Sequence, residues 1–366
     1  MSDAAAALPR FVVIGAGDFG RVHLQVYQQI EARGEGRLVG LAARTERSAT
    51  RHGEMFGVPG FTDYKAMIRD LRPDAVSIVT PDDLHCEMTC HALSAGLHVL
   101  VEKPMDTCLA GARKMLAAAG ASGRLLQVDH HKRFDPSVIE ARRFVQSGGI
   151  GRPVYGNVVM EECITLPRDV IGRWVTRTNP NWLVGIHMYD VLRWVLGRDV
   201  RRVFATACNV NLDVLGPDTI DAVQARLEFA DGPQIEVQTS WILPESFPAM
   251  VDQSLRLVGT EGVAEIDLRQ RGLTFCNAAG VATPNPHFLQ QRAAPFGSTE
   301  TFGYGSASIE SFARNVRALG GGASLADLDG PWANASDGLA AVRIAAAVDR
   351  SFQTGRPVDL QDEEEA

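Results

Sequence analysis

Phe11-Val-Val-Ile-Gly-Ala-Gly-Asp-Phe-Gly20 is the stretch on which the reading of this chain turns. Its first four residues are an unbroken apolar run, as in a strand buried on both faces. The run passes straight into Gly15-x-Gly17-x-x-Gly20, and a helical pattern follows from Arg21 to Ala32. The glycines make physical sense in that setting. One permits a tight strand-to-helix turn, one lets backbone approach a pyrophosphate, and one lets helix pack on strand. Free N–H groups at the helix start then face the anion. Gly15, Gly17, Asp18, Phe19 and Gly20 are therefore candidate dinucleotide contacts. The plain alternative is a tight turn without a ligand.

Outward from this unit, apolar runs at 38–42, 75–79, 99–101 and 125–128 alternate with amphipathic patterns near 46–55, 63–71, 83–95 and 107–120. Short continuous strands with intervening helices specify a doubly wound parallel sheet, an α/β Rossmann layer over residues 1–130. The grammar changes after Arg133. Extended runs at 154–164, 201–211, 221–229, 234–242, 253–259, 263–268 and 272–276 are joined by short turns, with Asp231-Gly232 a hairpin signal. Residues 131–366 thus read as an α+β domain with a large, mainly antiparallel open sheet. Its helices fall near 135–147, 185–196, 306–319 and 334–353, the last open to packing back near the first domain. Residues 280–303, with Pro284, Pro286 and Pro295, read as a long loop.

At 366 residues the chain has room for two domains, and a net charge of −8 argues against nucleic acid as partner. No run of about 18 apolar residues is free of charge, so no membrane span is expected. The first residues lack a basic segment before an apolar one, which excludes a secretory signal and points to the cytoplasm. Six cysteines at irregular spacing read as reduced core thiols. Within His85-Cys86-x-x-x-Cys90-His91, the two cysteines share a helical face but the histidines lie off it, so no metal is expected.

The tip of the second strand sets the cofactor. An NAD-binding unit places an acid about 20 residues after its glycines. Here that place reads Ala43-Arg44-Thr-Glu-Arg-Ser48. Arg44 can clamp a 2′-phosphate bidentately and stack on adenine, which favours NADP over NAD. The alternative is a plain surface arginine, with Glu46 turned back to the ribose.

Four ordered motifs make a more specific case: Gly15-x-Gly17-x-x-Gly20, Thr80-Pro-Asp-Asp-Leu-His85, Glu102-Lys-Pro104, and Gly185-x-His187-x-x-Asp190 in a helix ending Leu192-Arg-Trp-Val-Leu-Gly197. Together they resemble the glucose-fructose oxidoreductase/inositol dehydrogenase (Gfo/Idh/MocA) family over essentially the whole chain. The resemblance implies hydride exchange between NAD(P) and a carbon-bound hydroxyl of a sugar, inositol or related polyol, in a homodimer or homotetramer. By position, Lys103 and His187 match catalytic residues, and Thr80, Pro81, His85 and Glu102 match the loops beside the nicotinamide. A histidine suits proton exchange with an alcohol near neutrality, and a lysine can hold the reacting oxygen.

The chain departs from the family at Leu183, where many members carry a substrate-binding aspartate. Asn181, Trp182 and Asp190 are the candidates to hold substrate in its stead, with Trp174 and His131 as further candidate substrate contacts. The stretch His130–Asp135 could instead be a salt-bridged junction. Alternation of Val223, Ala225, Leu227 and Phe229 with Gln224, Arg226 and Glu228 gives the second sheet one apolar and one polar face. Two other functions stay open: a cofactor-binding sensor without turnover, and an enzyme that uses tightly bound NAD for another sugar reaction.

Overall fold

The computed structural model describes residues 8–212, 219–277, 280–293 and 299–360. In chain order the first elements are β1 (Arg10–Ile14), α1 (Asp18–Ala32), β2 (Arg37–Ala42), α2 (Glu46–Phe56), β3 (Gly60–Phe61), α3 (Tyr64–Leu71), β4 (Ala75–Ile78), α4 (His85–Ser94), β5 (His98–Val101), α5 (Leu109–Ser122) and β6 (Leu126–Val128). Then come α6 (Pro136–Gln146), β7 (Pro153–Cys163), α7 (Ile186–Leu196), β8 (Val200–Cys208), β9 (Ala222–Phe229), β10 (Gln234–Leu243), β11 (Val251–Gly259) and β12 (Val263–Asp267). Two hairpin pairs follow, β13 (Phe275–Asn277) with β14 (Gly280–Ala282) and β15 (Gln290–Ala293) with β16 (Thr299–Phe302). The chain ends in α8 (Tyr304–Gly320), β17 (Ala333–Asn334), α9 (Ala335–Thr354) and β18 (Val358–Asp359).

These elements form two units, one of residues 1–134 with 287–339, the other of 135–286 with 340–366. The first is the doubly wound layer, its strands in the order β17-β6-β5-β4-β1-β2-β3. All pairs are parallel except β17 on β6. Four-residue strands such as Ala75–Ile78 and His98–Val101 are buried throughout because helices cover both faces. Phe11 stacks on Tyr27 of α1 (centroids 4.6 Å apart) and meets Phe312 of α8 edge-on at 6.5 Å.

A single cut near residue 130 does not describe this unit. Residues 287–339 join it because α8 packs its Ile309, Phe312 and Val316 into the core under β1. The β17 ladder then adds an edge to β6, and Gly338 at the start of α9 lies against Val128 and Met105. Part of the stretch read as a loop, 280–303, is strand, with Gln291 and Thr301 of the β15–β16 hairpin on Gln25 of α1.

The second unit carries a seven-stranded sheet in the order β12-β11-β7-β10-β9-β8-β18, antiparallel except for β7 beside β10. In β9, Val223, Ala225, Leu227 and Phe229 are buried, while Gln224 and Arg226 on the other face are exposed and Glu228 is half-buried. That face is laced by Arg226–Glu236 (2.7 Å) and Arg256–Glu265 (3.1 Å).

All six cysteines are free thiols, yet only Cys163 is buried, while Cys108, Cys208 and Cys276 are exposed. The expectation of core thiols is corrected to that extent; Cys208 and Cys276 sit on exposed strand positions with no core to face. No helix among the described residues is long and apolar enough to cross a membrane.

Candidate active site

Parallel register brings the ends of five strands into one row. Ile14 lies beside Ala42 and Ile78, Ile78 beside Val101, and Val101 beside Val128. The next residues therefore line one edge of the sheet: Gly15, Ala43-Arg44, Val79-Thr80, Glu102-Lys103 and Asp129. In open α/β sheets this carboxyl edge is where ligands bind.

The glycine turn accounts for itself residue by residue. Gly15 has φ +103°, and a Cβ there would collide with the Val79 carbonyl. A Cβ on Gly20 would strike the Gly15 carbonyl, so only glycine lets α1 sit this close to β1. Gly17 is different: a Cβ on it would meet nothing within 4 Å. It is the N-cap of α1 and supplies no side-chain acceptor, which leaves the first N–H groups to an incoming anion. These residues fit a dinucleotide pyrophosphate. Asp18 turns outward to Arg21 (2.6 Å), and Phe19 lies in an aromatic group with Phe288 and His131.

At the tip of β2, Arg44 is exposed and has no ion pair among the described residues. Thr45 and Ser48 are used locally: the Thr45 hydroxyl caps α2 by accepting from the Ser48 N–H (3.3 Å), and Ser48 Oγ lies 3.2 Å from His52 Nδ1. Glu46 is exposed in the first turn of that helix.

His85 does something other than contact a cofactor. Its ring is fully buried, with Nδ1 2.9 Å from the Pro104 carbonyl and Nε2 3.0 Å from the Thr80 carbonyl. It ties the loop after β4 to the loop after β5 and leaves no ring nitrogen for an ion. Pro81, exposed, starts the short 3-10 turn Asp82–Leu84. Burial raises the Asp82 carboxyl above its usual range, opposed by His85 and the Lys103 ammonium. Lys103 itself is half-buried at the carboxyl edge. Glu102 also departs from the expected cofactor contact, since its carboxyl points inward, 3.2 Å from His23 Nε2.

In the second unit, His187 lies in the first turn of α7 and is buried. A π-helical turn, Asn181–Gly185, leads into that helix. Asp349 of α9 holds this turn: Asn181 Nδ2 donates to its Oδ1 at 2.8 Å and Trp182 Nε1 to its Oδ2 at 2.7 Å. Asn179 Nδ2 donates to the same carboxylate at 3.3 Å, and its own Oδ1 accepts from the Asn181 N–H (2.9 Å). Burial raises the Asp349 pKa, against these three donors. Asp349→Ala would strand donors around a buried position and should destabilise the protein by about 1.5–3 kcal/mol in chemical denaturation. A loss below about 0.5 kcal/mol would show that the carboxylate does not hold the turn.

Asn181 is accordingly not available to substrate. Its Nδ2 also donates to the Ala345 carbonyl (2.8 Å), and its Oδ1 accepts from Tyr189 Oη (2.6 Å). Leu183 packs on the Val175–Leu212–Trp241 cluster. Asp190 is fully buried, and the side chain of Trp174 lies outside the described residues. His131 is buried among Phe19, Phe288 and Tyr304; burial pushes its pKa well below the ordinary value, helped by Lys132 and Lys103. The ends of the 130–135 stretch are each engaged within their own unit. Arg133 bonds the Trp332 carbonyl and Asp337 at 3.2 Å, and Asp135 takes both Arg271 nitrogens at 2.6 and 3.1 Å.

A family model described as an oxidoreductase family with an NAD-binding Rossmann fold matches residues 9–130. A second, the GFO/IDH/MocA C-terminal domain, matches residues 138–265. The chain belongs to the Gfo/Idh/MocA family. It is 28% identical to an inositol 2-dehydrogenase of Rhizobium meliloti over 96% of this chain and 99% of that one. It is 26% identical to a D-apiose dehydrogenase of Paraburkholderia graminis, covering 95% and 89% of the two chains. A crystal structure of scyllo-inositol dehydrogenase from Lactobacillus casei, with bound NAD(H) and scyllo-inositol, superposes with a TM-score of 0.78 at 19% identity over 97% of this chain and 100% of that one. That likeness speaks for the fold. The chain is thus a Gfo/Idh/MocA oxidoreductase with an NAD-binding Rossmann layer.

Proposed function

We propose that this Gfo/Idh/MocA protein transfers a hydride between NAD(P) and the carbinol carbon of a sugar, inositol or related polyol. The observation that carries this reading is the row at the carboxyl edge, where the open Gly17 turn, the Thr80 loop and Lys103 follow adjacent parallel strands. The dehydrogenases among its relatives act on substrates of that class by name. The oxidised nicotinamide, when bound, supplies the hydride acceptor. Lys103 holds the substrate oxygen through its ammonium and steadies the negative charge that grows there. His187 accepts the hydroxyl proton, a task suited to an imidazole near neutrality. Stopped assays with each candidate polyol and the oxidised cofactor test the reading, with reduced nicotinamide as the expected product.

NADP is the favoured cofactor. Arg44 stands exposed two residues beyond β2, with no carboxylate at the strand tip to repel a 2′-phosphate. Arg44→Ala should weaken NADP by about 10–150-fold, the worth of a charged hydrogen bond, and leave NAD nearly unchanged. Titration of the wild type that finds NAD the tighter ligand would contradict this preference and bring Glu46 forward as the ribose contact.

A further inference from the structure

Three ionisable side chains that the proposed chemistry does not use meet inside the first unit. They are His23 on α1, Glu102 directly after β5 and Asp129 directly after β6. His23 and Asp129 are fully buried and Glu102 nearly so. His23 Nε2 lies 3.2 Å from Glu102 Oε1 and 3.7 Å from Asp129 Oδ2, and one ligand atom from each residue falls within 4.8 Å of the others. Neither Asp129 oxygen has a donor in good hydrogen-bond geometry among the described residues.

Two buried carboxylates this close cannot both be ionised without something positive between them. Three candidates exist: an imidazolium, a metal ion or a proton. Burial drives His23 toward its neutral form, its pKa lowered to about 4 despite Asp129. A divalent ion would have only these three side-chain ligands among the described residues, with the Lys103 ammonium already acting on Glu102. The proton remains. Burial pushes Glu102 up to about 7, with Lys103 and its backbone N–H opposing and Asp82 assisting. It raises Asp129 well above the usual range, reinforced by Glu102 and opposed by His23 and the Ser308 hydroxyl of α8.

We propose that Glu102 and Asp129 share one proton, with His23 against the pair, and that this proton fixes the backbone from which Lys103 projects. Glu102 is the residue before Lys103, so repulsion between the two carboxylates would act on the lysine's own peptide. The second half of the proposal rests on the reading of Lys103 as the group that holds the substrate oxygen.

The test follows from proton linkage. Unfolded carboxyls ionise near pH 4, whereas the folded pair keeps its proton to much higher pH, so stability falls as pH rises until the pair itself ionises. His23 acts in the opposite sense between about pH 4 and 6.5, so the clean window lies above about pH 6.5. Urea unfolding of the full-length protein is compared there with Asp129→Asn and Glu102→Gln, whose amides donate where the proton did. The wild-type unfolding constant should rise about tenfold more per pH unit than that of either variant. Equal slopes in wild type and both variants would overturn the proposal, as would about one metal ion per chain by elemental analysis that is lost in Asp129→Asn. For Lys103, the alkaline fall in kcat on an identified polyol should move in Asp129→Asn; an unmoved fall overturns the positioning role. Because the slopes need no substrate, a protein that shows them but oxidises no polyol contradicts the proposed function and leaves the proton pair standing.

Discussion

His187→Ala should lower kcat by about 10²–10⁴-fold on any polyol the protein oxidises, the usual cost of losing a general base. Cofactor affinity should stay nearly unchanged, because His187 is assigned to the substrate hydroxyl and not to the adenine, ribose or pyrophosphate. Lys103→Met should fall in the same range, since methionine keeps the length of the side chain and removes its charge. A loss confined to KM would mean that the residue contributes binding common to ground and transition states. Retention of most of the wild-type kcat in His187→Ala would reduce His187 to a packed helix residue. Asp190, buried one turn further along α7, would then be the next base to examine.

The second large effect separates two glycines of one motif. Gly17→Ala places a methyl where the protein has open space within 4 Å, and the backbone there already has φ −72°, which any residue adopts. Stability should therefore barely change, while cofactor affinity drops on the order of 10²-fold because the pyrophosphate can no longer approach the backbone. Gly20→Ala forces a Cβ into the Gly15 carbonyl and should destabilise the fold by at least the roughly 1–3 kcal/mol of an overpacked core. Calorimetric titration together with thermal unfolding reads both variants. If Gly17→Ala binds the dinucleotide as the wild type does, nothing approaches this turn, and the plain βα reading returns.

The contrast also shows what the chain's letters reveal. Phe11–Gly20 was legible because every residue in it acts through immediate neighbours: an apolar strand, a turn that needs a positive φ, and a helix start. Lys103 and His187 were legible only through ordered motifs, since neither a strand-end lysine nor a helical histidine identifies itself. What escaped depends on partners far along the chain. Asn181 looked like a free polar group, yet its amide is spent on Ala345 and Asp349, more than 160 residues away. β17 is two residues long and carries no strand pattern of its own, but it pairs with β6. The inward turn of Glu102 toward His23 and Asp129 joins three elements that no local spacing connects.

Hydride transfer from a carbinol carbon is read by incubating the protein with NADP, and separately with NAD, against inositols, aldoses, sugar acids and sugar phosphates. A substrate that reacts is then prepared with deuterium on the reacting carbon. At least one polyol should reduce the cofactor, the deuterium should appear on the nicotinamide ring, and His187→Ala should abolish most of the transfer. A protein that binds the dinucleotide tightly by titration but reduces none with any of these substrates would contradict the proposed function, and would be a cofactor-binding protein without turnover.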